Sequence, residues 1–176
     1  DVTFVDESKY ISYSIWIPLV DVNSTNGCMR VLSGSHLFYP NVRTHSPANW
    51  IYSEVKSYIL RDMISCPMKK GQALVFSHAL IHGSFPNQTP DNRISAVIAC
   101  YPQGADLFHY QESSEAGKLG KYKMNKEAYV SYIKGAPPAL GKFLEEVKVD
   151  TRPHTQLTYC IQKQIAAWKS LATLFS

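Results

Sequence analysis

Residues 10–22 read YISYSIWIPLVDV and residues 23–32 continue NSTNGCMRVL. The first run is rich in β-branched and aromatic side chains, which suit a pleated, half-buried strand. With a side-chain period of two, Ile11, Tyr13, Ile15 and Ile17 share one face, and Ser12, Ser14 and Trp16 the other. Pro18 lacks the N–H that a ladder needs, so it marks a bulge or a sheet edge. Asn23 to Gly27 is a turn signal, because Asn-Gly readily takes up positive φ. Cys28 to Leu32 then returns as a short strand, stopped by Ser33-Gly34-Ser35.

The same texture resumes further along. Ala73 to Phe76 follows a turn at Lys70-Gly71, Ala79 to His82 comes next, and Arg93 to Tyr101 alternates again after the loop NQTPDN at 87–92. Several short strands at close spacing predict an antiparallel sandwich or barrel. Residues 37–65 interrupt them with Tyr39, Trp50, Tyr52, Tyr58, Arg43 and Arg61, and Pro40 and Pro47 break any long element. An insertion of this kind reads as a lid or binding loop that walls the substrate, with a short helix within 49–60. After Gly104 the character shifts. Asn125 reads as the N-cap of a helix through Ile133, closed by Gly135-Ala136-Pro137-Pro138. Leu157, Ile161, Ile165, Trp168, Ala172 and Phe175 step by three or four, as one face of an amphipathic helix that docks on a core. The expected organisation is a β core over 1–103 with its N-terminal part missing, and a helical extension over 104–176 packed on it.

Bulk properties exclude several classes. The 176 residues suit one domain, and 45% hydrophobic against 18% charged residues is ordinary globular composition. The net charge of +4 is dispersed, with nothing denser than Lys69-Lys70 and scattered lysines over 118–126, so nucleic acid is not an expected partner. Cys28, Cys66, Cys100 and Cys160 show no C-x-x-C spacing, which speaks against a zinc ribbon or disulfide scaffold and for reduced thiols in the cytoplasm. Apolar runs are too short for a membrane span. The chain opens on Asp1-Val2-Thr3-Phe4 without an initiator Met and reads as a fragment, or as a chain preceded by further residues.

The chemistry turns on order along the chain. A non-haem Fe(II) oxygenase needs two His and one carboxylate on one face of the metal, with open positions for a 2-oxo acid and dioxygen. The distal carboxylate of 2-oxoglutarate calls for a permanently charged, bidentate Arg. The segment FSHALIHGSFPNQTPDNR over 76–93 puts His82 and Arg93 eleven residues apart, at the end of one strand and the start of the next. Leu80, His82, Ser84, Asn87 and Arg93 resemble the L-x-H-x-S-x-x-N block and following Arg of the phytanoyl-CoA dioxygenase family. Upstream, WIPLVDVNSTNGCMRVLSGSH over 16–36 resembles that family's Trp, Asn-Gly turn, Val-Leu strand and G-S/T-H turn. Ser33 stands where the family usually has Pro, and Gln72 where it usually has Asp.

The resemblance runs from Asp1 to about Tyr101. It implies a mainly β fold with flanking helices, a double-stranded β-helix (jelly roll, cupin-like). It implies an Fe(II)- and 2-oxoglutarate-dependent dioxygenase that consumes dioxygen and hydroxylates a small organic molecule or acyl-type substrate. By position, Asp1 and His82 would be iron ligands, Arg93 would hold the distal carboxylate of 2-oxoglutarate with Ser84 donating nearby, and Trp16 would pack against the co-substrate. A carboxylate at Asp1 implies hydroxylation rather than halogenation. Ser95 completes an R-x-S pattern, and Asn87 reads as a loop-fixing residue. The partner His would lie two positions before Asp1, outside the sequence. Two other readings stay open: a silent relative that binds a ligand or partner, and a carboxylate from Asp6 or Glu7 with a different histidine. His78 is an alternative ligand, although the family carries a non-ligand His there; His36 reads as a turn residue. A cupin-type metal enzyme without 2-oxoglutarate is a further alternative.

Overall fold

A computed structural model describes residues 2–37, 42–44, 56–115, 117–125 and 141–148. The described strands are β1 (Tyr13–Pro18), β2 (Met29–Val31), β3 (Ile64–Cys66), β4 (Leu74–Ser77), β5 (His82–Ser84), β6 (Ser95–Cys100), β7 (Leu107–Glu112), β8 (Lys118–Met124) and β9 (Lys142–Lys148). A 3-10 turn covers Ser35–Leu37 and one α-helix, α1, covers Lys56–Asp62. The strands form three-stranded antiparallel sheets in the orders β4-β1-β6, β3-β2-β5 and β7-β8-β9. From β3 to β6 the chain alternates between the first two sheets. That alternation is the winding of a double-stranded β-helix, and the fold is mainly β and jelly-roll-like.

The first two sheets close on a common interior. Trp16 and Phe76 from the first meet Met29 from the second, with Val22 and Cys28 filling the corner between them. Each such large side chain removed from water contributes on the order of 1.5–3 kcal/mol. An isolated bridge between Val22 and Met68 ties the strand ends beside this cluster. The turn between β1 and β2 is fixed by its own side chains. Asn23 Oδ1 accepts from the Thr25 N–H at 2.8 Å, and Asn26 Oδ1 accepts from the Asn23 N–H at 2.7 Å. Gly27 then takes φ +80°, and a Cβ there would meet the Phe85 carbonyl oxygen at 2.6 Å. Gly27→Ala is therefore expected to cost roughly 2–4 kcal/mol, as left-handed backbone and overpacking add. A urea titration checks this.

The face of β1 that turns inward is the one with the serines. Ser12, Ser14, Trp16 and Pro18 are buried, whereas Ile11 and Tyr13 are exposed. Polar groups lining an interior have to be satisfied there, which makes the space between the sheets a candidate for chemistry rather than an inert core.

The short helix predicted within 49–60 is found at Lys56–Asp62, and the insertion ends before 65, because Ile64 to Cys66 pair with β2. Arg30 explains how α1 is held. Its Nη2 donates to the carbonyls of Leu60 at 3.0 Å and Met63 at 3.1 Å, capping the helix end, while its guanidinium lies 4.2 Å over the Phe85 ring.

Strands, not helices, fill the described part of 104–148. Lys121 pairs with Glu145 at 3.1 Å and Lys118 with Glu146 at 3.3 Å across β8 and β9. Such cross-strand pairs support a ladder that composition alone reads as helix-forming. The sheet packs on the core through Leu107 and Met124, buried with Phe4 and Val5, and through a bond from the Phe108 N–H to the Phe4 carbonyl at 2.9 Å. The helices predicted at 125–133 and from 155 onward lie outside the described residues. Among the described residues no helix is long and apolar enough to cross a membrane.

Candidate active site

His82 opens β5, opposite Val31 of β2, and Ser84 lies opposite Met29. The intervening pair, Gly83 and Arg30, alternates to the other face, so His82 and Ser84 share one face of β5, on which His82 is half-buried and Ser84 exposed. The His82 ring lies against Phe76 of the facing sheet, with centroids 4.6 Å apart. Two bonds hold β5 in place: the Leu32 N–H donates to the Ile81 carbonyl at 2.9 Å, and the Ile81 N–H donates to Ser35 Oγ at 2.7 Å. The Gly-Ser-His turn thus anchors the strand that carries His82, while His36 itself is exposed.

The His82 ring is also fixed in tautomer. Nδ1 lies 2.8 Å from the Leu80 carbonyl oxygen, which can only accept, so Nδ1 carries the proton and Nε2 the lone pair. This is the arrangement that metal-binding histidines use. Burial pushes the His82 pKa down to about 4, so the ring is neutral at physiological pH, as a ligand must be.

Arg93 precedes β6 and lies two residues before Ser95, which pairs with Pro18 on the inner face of β1. Its Nη1 donates to the Gly27 carbonyl, and its guanidinium stands 5.9 Å from the Trp16 ring. Trp16 is 5% exposed. A backbone acceptor and an aromatic face thereby orient the guanidinium at the end of β1. Asn87 fixes the loop that leads to Arg93: its Oδ1 accepts from the Thr89 N–H at 2.9 Å, and its Nδ2 donates to the Asp91 carbonyl at 2.6 Å.

Asp1 lies outside the described residues. Among the described residues no three His, Cys, Asp or Glu side chains gather as a metal site. The alternative carboxylates are committed elsewhere. Asp6 accepts from Ser8 Oγ at 2.6 Å and pairs with Lys9 at 3.0 Å, and the Ser8 and Lys9 bonds draw its pKa down to about 2. Glu7 holds Arg43 in a bidentate pair, Nη1 to Oε2 at 3.0 Å and Nη2 to Oε1 at 2.5 Å. Arg61 of the insertion pairs with Asp62 at 2.9 Å and stands over Tyr58. Trp50 lies outside the described residues.

The sequence reading did not anticipate a buried polar pair beside His82. Ser14 Oγ and His78 Nε2 lie 2.9 Å apart in a buried hydrogen bond, and the Phe4 ring packs edge-on to His78 at 4.6 Å. The signal was present in the alternation of Ser12 and Ser14 on an otherwise β-branched strand. Burial lowers the His78 pKa to about 4, as it does that of His82. Both pKa values are depressed relative to the unfolded chain, so the unfolded state binds more protons as pH falls below about 6.5. Stability contributed by the neutral rings is present above that pH and lost on descent toward about 4. The urea midpoint of the metal-free protein is expected to drop over that window, and His78→Gln to flatten the drop.

Beside this interior, a cavity of about 570 Å³ opens between the start of β1, the end of β4 and the 3-10 turn. Its wall includes Tyr10, Ser12, His36, Phe76 and Leu80. Phe76 and Leu80 also contact His82, so the cavity stands one side chain away from that ring.

Residues 1–95 match the family model for phytanoyl-CoA dioxygenase (PhyH). A phytanoyl-CoA dioxygenase domain-containing protein 1 homolog from Dictyostelium discoideum is 30% identical over 100 residues, covering 53% of this chain and 36% of that protein. Phytanoyl-CoA dioxygenase 1 from Oryza sativa subsp. japonica is 29% identical over 96 residues, covering 53% of this chain and 34% of that protein. The chain spans about a third of the length of these relatives. The family match takes in β1 to the start of β6, with His82, Ser84, Arg93 and Trp16 inside it, and the chain belongs to the phytanoyl-CoA dioxygenase family.

Proposed function

We propose that this chain carries the iron and co-substrate half of an Fe(II)- and 2-oxoglutarate-dependent dioxygenase that hydroxylates a small organic or acyl-type molecule. The observation that supports it most is the His82 ring, held neutral with Nε2 as its lone-pair nitrogen on the inner face of the fold. Asp1 and His82 would hold the metal, with the histidine that the family resemblance implies two positions before Asp1 as the third ligand. Fe(II), when bound with 2-oxoglutarate and dioxygen, supplies the oxidising power for C–H hydroxylation, the co-substrate leaving as succinate and CO2.

The protein's own groups do the rest. The Arg93 fork pairs with the distal carboxylate of 2-oxoglutarate, which its Gly27 and Trp16 contacts leave pre-aimed. Ser84, on the face of His82, donates a hydrogen bond to the same carboxylate. Trp16 and Phe76 exclude water beside the metal, and the cavity lined by Tyr10, Ser12 and His36 receives the substrate. The domain division proposed with it is a β core over 1–103 and an extension from 104 onward, whose described strands pack on Phe4 and Val5 through Leu107 and Met124.

The test is stoichiometric. Full-length protein supplied with Fe(II), ascorbate and labelled 2-oxoglutarate should release succinate and CO2 slowly without a substrate, and only when iron is present. No release above a metal-free control would remove the dioxygenase reading.

A further inference from the structure

Three of the most exposed apolar side chains gather around one hollow. Ile11 ahead of β1, Leu37 in the 3-10 turn and Val75 in β4 are 61%, 61% and 60% exposed, and all three line the cavity of about 570 Å³. Large apolar groups left in water around a cavity of that size mark a surface that takes a ligand. Phe76, which is buried, continues the apolar wall inward. Tyr10, Ser12 and Ser77 bring hydroxyl-bearing side chains to the same wall. Ser77 Oγ accepts from the Ala79 N–H at 3.2 Å, which leaves its O–H to donate. Among the described residues, Glu7 is the only Asp, Glu, Lys or Arg on the wall, and both of its carboxylate oxygens are engaged by Arg43.

We propose that this cavity binds an uncharged, largely apolar molecule that carries a hydroxyl or carbonyl group, and that it selects against the same molecule carrying a carboxylate. As a substrate class this rests on the proposed dioxygenase reading; as a binding preference it does not. Covering Ile11, Leu37 and Val75 removes apolar area from water, which drives association. The wall hydroxyls can donate to or accept from one neutral polar group and so set its orientation. An anion in the same place loses hydration beside the Glu7 carboxylate. Arg43 answers that anion only by giving up its bidentate pair with Glu7, both partners of which are mostly buried. The cavity opens to solvent, which screens part of the penalty, and a preference of about 10- to 100-fold for the neutral molecule is expected.

The probe is N-phenyl-1-naphthylamine, which is uncharged and brightens in apolar surroundings, titrated into the metal-free, full-length protein. It is then displaced with 1-decanol or with decanoate at about pH 8, where the acid is ionised and an ordinary imidazole is neutral. Expected are saturation at one equivalent and displacement by decanol at concentrations about 10- to 100-fold lower than by decanoate. Leu37→Lys should tighten decanoate by about 10-fold and leave decanol nearly unchanged, whereas Val75→Asp should weaken the probe and decanol by about 10-fold. Both positions are exposed, so either variant is expected to fold, with a urea transition as the check, and either alone locates the probe. Decanoate that competes as well as decanol overturns the proposal, as does wild type without saturable probe binding. Folded variants that bind the probe and both competitors like wild type place the probe elsewhere and also overturn it. Failure of the dioxygenase reading shows separately, as absent succinate release from iron-loaded protein while the preference for decanol persists.

Discussion

His82→Ala is expected to abolish 2-oxoglutarate turnover and to weaken Fe(II) binding by more than about 100-fold. That bound follows because groups outside the ligand set are already worth 10- to 100-fold, and a ligand has to exceed them. The effect is separable from damage to the fold. His82 packs on Phe76, but the interior also rests on Trp16, Val22, Cys28 and Met29, which do not depend on the imidazole. The metal-free variant should keep a cooperative unfolding transition while metal affinity, read by Mn(II) titration with electron paramagnetic resonance of the unbound ion, collapses. Retained metal binding in a folded His82→Ala protein would mean that the iron, if any, sits elsewhere.

Arg93→Ala comes second in size. Truncating one partner of a buried, hydrogen-bonded charge pair costs 2–5 kcal/mol. Taking about 3 kcal/mol, the KM for 2-oxoglutarate should rise by roughly 100-fold, since each 1.4 kcal/mol is tenfold. Arg93→Lys should recover part of this, because it keeps the charge but loses the planar fork. The substrate KM is expected to move little, because the cavity that would receive substrate is not lined by Arg93. An Arg93→Ala protein with unchanged 2-oxoglutarate kinetics would leave Arg93 as no more than a strut on the Gly27 turn.

Much of the fold was legible where local chemistry and final structure agree. The alternation of β1, the Asn-Gly turn and the polar loop at 87–92 each specify their geometry within a few residues. The spacing from His82 to Arg93 was legible only in part: the polar loop before Arg93 was expected, but residues 78–80 form a turn and His82 opens β5, which ends at Ser84, rather than closing a strand over 79–82. Three features were not. The inward face of the run that contains β1 could not be told from alternation, because Ile11 and Tyr13, on the more apolar face, are the exposed ones. Burial of a serine face makes sense only when the partners, such as His78, are known. The β7-β8-β9 sheet rests on Lys–Glu pairs between residues over twenty positions apart, which no local window contains. Arg43 reads as a loop cation until Glu7, far off in sequence, is brought against it.

The buried serine face also bears on how the site stays usable. A wholly apolar interior would pack shut, whereas Ser12 lines the cavity and Ser14 bonds His78 in the interior beside it. His78 is held neutral there, so it adds no charge beside His82. Arg93, the cation that the proposed function assigns to the dianionic co-substrate, is held oriented against Trp16 and the Gly27 carbonyl.

The most direct measurement is an anaerobic titration of 2-oxoglutarate into the Fe(II)-loaded full-length protein, followed by visible absorption. A 2-oxo acid chelated to Fe(II) gives a metal-to-ligand charge-transfer band. The expected result is a saturable band at one equivalent, absent in His82→Ala and requiring far more 2-oxoglutarate in Arg93→Ala. A wild-type protein that binds Fe(II) but gives neither a band nor calorimetric heat with 2-oxoglutarate would contradict the assignment of this interior as a dioxygenase site.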